Sequence, residues 1–100
     1  MNWFDVNKTD VPEGIELLLY NEVWINEDFN SKGIRIGFLD GDGTWITAYW
    51  CNYHDEYHTR RSDTDDEQFK LSKGIDQIPT YWTHISEIQF PKTSAQIIIK

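Results

Sequence analysis

Several short stretches of the chain hold residue types that could do chemistry. In "FLDGDGTWIT", Phe38 to Thr47, Asp40 and Asp42 are spaced as in a calcium loop. An EF-hand loop needs side-chain oxygens at alternating positions, then a Gly, and a bidentate Glu to close it. With Gly43 in the Gly place, the first ligand falls on Phe38 and the closing Glu on Tyr49, so both anchoring carboxylates are missing. The stretch therefore reads as a hairpin turn, where Asp and Gly accept left-handed backbone angles. A second cluster, "CNYHDEYH", brings Cys51, His54 and His58 together. The zinc-protease signature wants Glu directly after the first His, but here Asp55 stands there and Glu56 comes one place late. No metal is expected, and these three residues are the candidates should one bind. Cys51 as a nucleophile would need a positioned base and an oxyanion site, and the sequence locates neither. With no catalytic set complete, neither an enzyme nor a cofactor is expected.

Two further stretches suit binding better than catalysis. The acidic run Asp63, Asp65, Asp66 and Glu67 can imitate nucleic-acid phosphates, and it equally suits the start of a helix, whose dipole favours negative charge. In "YWTHISEIQFP" rings, a hydroxyl and an imidazole crowd one segment. Trp82 and His84 from this segment, with Trp45 and Tyr53, are the candidate binding residues, set against a scaffold role in which His84 is satisfied by backbone groups.

These residues must be positioned by a mainly β framework. "ELLLYNEVWIN" follows a Pro12 to Gly14 turn signal and predicts a strand over about 16–25. Ile34, Ile36 and Phe38 alternate with Arg35 and Gly37 in the period-two pattern of a half-buried strand. "TWITAYW" is dense in β-branched and aromatic residues, so a hairpin turning through Asp40 to Gly43 is predicted. The stretch 52–78 is polar and lacks strand alternation. Thr64 and Glu67 have capping-box spacing and Gly74 sits where a helix would end, which predicts a short helix over about 65–72. "TYWTHISEI" is a further strand candidate, and "AQIIIK" reads as a last strand or an unpaired tail. The fold class is α+β, mainly β: a small antiparallel sheet of four to five strands, curved or closed like a barrel, with one short helix. One domain spans 1–100, its core about 3–91, with 52–78 an insertion-like connection and 92–100 a tail or extra strand.

Composition narrows the class. One hundred residues fit one domain, since domains cluster around roughly 100 to 150 residues. Five Trp, five Tyr and five Phe supply large rings for a core. A formal net charge of −8 repels nucleic-acid phosphates and anionic lipid, so the expected partner is a protein with a basic surface, not nucleic acid or membrane. The lone Cys51 forms no intramolecular disulfide, and no apolar run reaches the roughly 20 residues of a membrane helix. A soluble, cytoplasmic protein, monomer or homodimer, is expected.

Both ends of the chain resemble a known family. Trp3 with Val6, Pro12 before the strand Leu17 to Tyr20, Gly43-x-Trp45, and Thr83-His84 followed later by Pro91 are similar to domain of unknown function 551, a family of small proteins common in phages and prophages. Val11 stands where that family usually has Leu, and Ile85, Ser86 and Glu87 replace its Trp-Met-Pro. The resemblance implies a phage or mobile-element accessory protein acting on a host component, with no known reaction. It gives Trp3, Trp45, Trp82 and His84 a shared structural or binding role. The expected function is thus binding, with inhibition, of a host protein such as a nucleic-acid-binding defence component. The alternative is a nucleotide-binding cleft lined by Trp82, His84 and Tyr53, because rings stack on bases.

Overall fold

A computed structural model of the chain describes residues 2–26, 30–51, 55–64 and 74–87. These form one antiparallel sheet of six strands: β1 (Phe4–Asp5), β2 (Leu17–Tyr20), β3 (Ile34–Leu39), β4 (Trp45–Cys51), β5 (Glu56–Arg61) and β6 (Tyr81–His84). The spatial order is β1-β6-β2-β3-β4-β5, so the sheet is open, with β1 and β5 at its edges. The expected mainly β, antiparallel sheet is found; the four to five strands, in a curved sheet or barrel-like meander, are corrected to six strands without closure. Among the described residues the only helical pieces are 3-10 turns at Glu22–Trp24, Gly74–Gln77 and Ile85–Glu87. The helix expected over 65–72 and the strand candidate "AQIIIK" lie outside the described residues.

Turn chemistry explains most of the boundaries. β2 stops at Tyr20, short of the expected 25, because the Asn21 side chain captures the Val23 N–H at 3.0 Å and donates from Nδ2 to the Ile78 carbonyl at 2.6 Å. Asn side chains that bond nearby backbone favour turns over strands. The β3–β4 hairpin turns where expected. Asp40 Oδ1 accepts from the Asp42 and Thr44 N–H groups, each at 2.9 Å, and Gly43 adopts a φ of 82°, which a side chain would strain. Within the hairpin, a Cβ at Gly37 would run into the Ile46 carbonyl oxygen and the Thr47 Cα.

The core sits on one face of the sheet. Leu17 and Leu19 from β2, Trp24, Trp45 from β4 and Trp82 from β6 form a buried cluster, with Val6, Val11 and Leu39 packed against it. Each such side chain removed from water contributes on the order of 1.5 to 3 kcal/mol. The segment around Gly74–Gln77 is tied over this face: Trp24 donates from Nε1 to the Asp76 carbonyl at 2.7 Å, and Gln77 is fully buried.

The facing of β3 is the reverse of what its hydrophobic alternation suggests. Arg35 is buried and Ile36 is 45 % exposed. Register places Arg35 opposite Leu19 on the core side, while Ile36 lies opposite Leu18 and Ala48 on the outer side. The long Arg35 side chain finds two rings and the polar partners Thr47 and Gln77 over the core face, and these offset its burial.

Candidate functional site

The register defines two surfaces on which side chains converge. On the core side, beyond the apolar cluster, Arg35 is sandwiched between two rings. Its guanidinium carbon lies 4.4 Å from the centroid of Trp24 and 4.7 Å from that of Tyr49, and Arg60 lies on Tyr49 at 5.5 Å. Arg35 Nη1 donates to Gln77 Oε1 at 2.6 Å and to Thr47 Oγ1 at 3.1 Å. Its Nε is buried without a hydrogen-bond partner, and no carboxylate pairs with the guanidinium among the described residues. Burial lowers its pKa to about 10, Tyr49 opposing that shift and the Arg60 charge adding to it. The cation is held by ring faces and neutral acceptors, a structural use of the aromatic quadrupole. The His58 ring lies beside this cluster, 5.7 Å from that of Tyr49.

The outer side is different. Cross-strand pairing lines up Tyr81, Tyr20 and Ile34 in one row, with Leu18, Ile36 and Ala48 in the next and Phe38 beside Ile46 in a third. Trp50 and Tyr57 pair across β4 and β5 with ring centroids 5.0 Å apart, edge to face. Tyr20 is flanked by Trp3 at 6.2 Å and Tyr81 at 6.3 Å. Ile36, Trp50, Tyr57 and Tyr81 are all exposed. Leu18 and Thr83 on the same face are buried, and exposed apolar side chains grouped on one face in this way mark contact with another molecule.

The residues singled out in the sequence separate between these surfaces and elsewhere. Trp45 and Trp82 are both core rings, each 5 % exposed; Trp82 is faced by Phe4 at 4.8 Å and donates from Nε1 to Thr9 Oγ1 at 2.9 Å. His84 is exposed at the end of β6, set edge-on to Trp82 at 5.2 Å. Asp63 is exposed and paired with Arg61 through two 2.9 Å contacts, and that pairing lowers the Asp63 pKa and raises that of Arg61. Tyr53, Asp65, Asp66, Glu67 and His54 lie outside the described residues, as does the side chain of Cys51. His58 is on β5, opposite Tyr49 and 3.4 Å from Glu56. No group of three or more His, Cys, Asp or Glu residues able to hold a metal ion occurs among the described residues.

Against known proteins the chain stands apart: no family model, no curated protein and no solved structure matches it. Functional inference therefore rests on the chain's own geometry. No helix among the described residues is long and apolar enough to cross a membrane.

Sequence reading missed both surfaces. The alternation of Ile34, Ile36 and Phe38 with Arg35 and Gly37 predicts a half-buried strand with Arg35 on its open side, and it says nothing of Tyr57 or Tyr81. The available signal was the excess of large apolar residues: β3 and β4 carry them at both parities, more than a single-layer sheet of this size can cover.

Proposed function

We propose that this chain is a non-enzymatic binding domain that docks on a basic host protein through the outer face of its sheet. The observation that carries this reading is the exposure of Ile36, Trp50, Tyr57 and Tyr81 on one side of an open sheet whose core is built on the other side. Aromatic residues are enriched at protein interfaces because a ring removes a large area from water at small entropic cost. The net charge of −8 selects a basic partner and speeds encounter with it. Asp5, opposite Tyr81 in register, places one carboxylate at the rim of that face.

The phage or mobile-element setting comes from the resemblance of Trp3, Val6, Trp45, Thr83 and His84 to domain of unknown function 551. In that setting the docked protein is a host component, and a nucleic-acid-binding defence protein combines a basic surface with a reason for being inhibited. A nucleotide cleft at Trp82, His84 and Tyr53 takes second place, since a base needs an open ring to stack on and Trp82 is buried.

The test compares wild type with Ile36→Ser/Tyr81→Ser as bait in host lysate at low and high salt. A basic protein retained by wild type, lost by the variant and released by salt is the expected result. Recovery of the same protein by both baits, or of none by wild type, overturns the proposal.

A further inference from the structure

Among the described residues β5 is an edge strand, with one side of its backbone turned away from the sheet. The Ser62 N–H donates to the Trp45 carbonyl at 3.0 Å, which sets the hydrogen-bonded phase of the β4–β5 ladder. Hydrogen-bonded and non-hydrogen-bonded pairs alternate along an antiparallel ladder. Glu56, His58 and Arg60 therefore direct their N–H and C=O groups toward β4. Tyr57, Thr59 and Arg61 direct theirs outward; the Thr59 carbonyl accepts from the Nη1 of its neighbour Arg60 at 2.9 Å, and the other outward groups have no partner among the described residues. Edges of this kind template pairing with a further strand unless they are blocked by a bulge, a Pro or an inward charge; β5 carries no Pro and no positive φ between Glu56 and Arg61, and its inward charges, Glu56 and Arg60, admit only a strand that sets opposite charges against them.

We infer that the strand added at this edge is β5 of a second copy of this chain, in antiparallel pairing about a two-fold axis perpendicular to the sheet. Such an axis keeps the core face of one copy continuous with the core face of the other, so each residue pairs only with one of its own parity. The choice of register follows from charge. With His58 opposite His58 of the second copy, Glu56 falls opposite Arg60 and Arg60 opposite Glu56, giving two complementary pairs by symmetry. Glu56 has a largely exposed side chain, and its one described ionic neighbour is His58 at 3.4 Å. Shifting the axis by one residue, onto Thr59, sets His58 against Arg60 and leaves Glu56 without a cation. Opposite charges facing each other across strands stabilise a pairing and like charges weaken it.

The same register uses the outward backbone groups and the most exposed ring of β5. Tyr57 and Thr59 become hydrogen-bonded pairs with Thr59 and Tyr57 of the second copy, each exchanging both N–H···O bonds. Tyr57, 72 % exposed in the single chain, comes diagonal to its own copy on the outer face, within reach for ring contact. The outcome is a continuous sheet whose two outer aromatic faces adjoin. An interface limited to one strand pair and two rings is small, so the dimer is a weak one, populated at high concentration.

The inference concerns the β5 edge, which shares only Tyr57 with the host-partner face, and Ile36→Ser/Tyr81→Ser leaves that edge untouched. Sedimentation velocity between about 10 µM and 1 mM should show a monomer–dimer equilibrium for wild type. Thr59→Pro removes an outward N–H that the single chain does not use, and should remain monomeric across the range with its melting temperature near that of wild type. Glu56→Arg and Arg60→Glu, each alone, should raise the dimer Kd by roughly tenfold, and the two together should restore it. A wild-type chain that stays monomeric throughout, or a Thr59→Pro chain that dimerises as wild type does, overturns the inference. If Thr59→Pro unfolds, the charge exchange decides alone: single reversals without effect, or a combined reversal that restores nothing, refutes the register.

Discussion

A buried guanidinium held without an acid makes a sharp prediction about Gln77. Arg35 donates to Gln77 Oε1 at 2.6 Å, and both residues are buried. Burial lowers the Arg35 pKa from its ordinary value to about 10, a drop that costs the charged form about 3 kcal/mol. The sign follows from the direction of the shift. For a base with a lowered folded pKa, the penalty applies in full below about 10, where folded and unfolded chains are both charged, and it fades as the folded chain releases its proton first. At neutral pH the penalty is offset by two ring contacts worth about 0.5 to 2 kcal/mol each and two charge-assisted hydrogen bonds worth about 1.5 to 3 kcal/mol each. Gln77→Leu removes the shorter of those bonds and leaves the cation in place, for an expected loss of about 3 kcal/mol. Arg35→Met removes the 2.6 Å bond to Gln77 Oε1 but also removes the desolvated charge, so its cost is about 1 to 2 kcal/mol.

The double variant Arg35→Met/Gln77→Leu should then be more stable than Gln77→Leu alone, by about 1 to 2 kcal/mol, because the second change removes the charge that the first left unpaired. Urea unfolding followed by tryptophan fluorescence reads this directly, since Trp24 stacks on Arg35 and Trp45 and Trp82 are core rings. The corresponding melting temperatures should differ by several degrees, at roughly 4 °C or more per kcal/mol for a domain of this size. A double variant less stable than Gln77→Leu would refute the reasoning: it would mean that Arg35 stabilises the fold through its charge and rings even without Gln77.

Other expectations concern the hairpin and the surface. Gly37→Ala should destabilise the fold by about 3 kcal/mol or more in urea titration, because its Cβ meets backbone atoms of Ile46 and Thr47 that cannot yield without breaking the β3–β4 ladder. Asp40→Ala should cost about 1 to 2 kcal/mol by the same measurement, through loss of two side-chain acceptances at the turn, and millimolar calcium should leave the wild-type melting temperature unchanged. The Asp63 carboxyl, with its pKa lowered by Arg61, adds stability that is present above the usual carboxylate range and lost as pH falls through the lowered value. Both partners are solvent-exposed, so the stability difference between wild type and Asp63→Asn should be small and should vanish in high salt.

How much was legible in the sequence depended on how local the cause was. The β3–β4 hairpin could be read because Asp40 and Gly43 carry the turn in their own chemistry, and β6 could be read because Tyr81 to His84 is dense in β-formers. β5 could not, since "EYHTRR" has no apolar alternation and becomes a strand by pairing with β4 over its whole length. β1, two residues long, exists only because β6 is beside it. The binding candidates divided along the same line. Trp45 and Trp82 were found as rings, but their burial depends on which residues the topology stacks against them. The reversal at β3 is the most instructive case. An apolar stripe looks the same whether its own chain or another molecule covers it, so the alternation of Ile34, Ile36 and Phe38 predicts a half-buried strand without telling which side the core takes. Once Arg35 is found on the inner side, held by Trp24, Tyr49 and Gln77, the stripe must face outward with Tyr81, Trp50 and Tyr57. The reversed facing of β3 and the proposed binding face thus have one physical origin, an arginine that occupies the core side of the sheet and turns the aliphatic side outward.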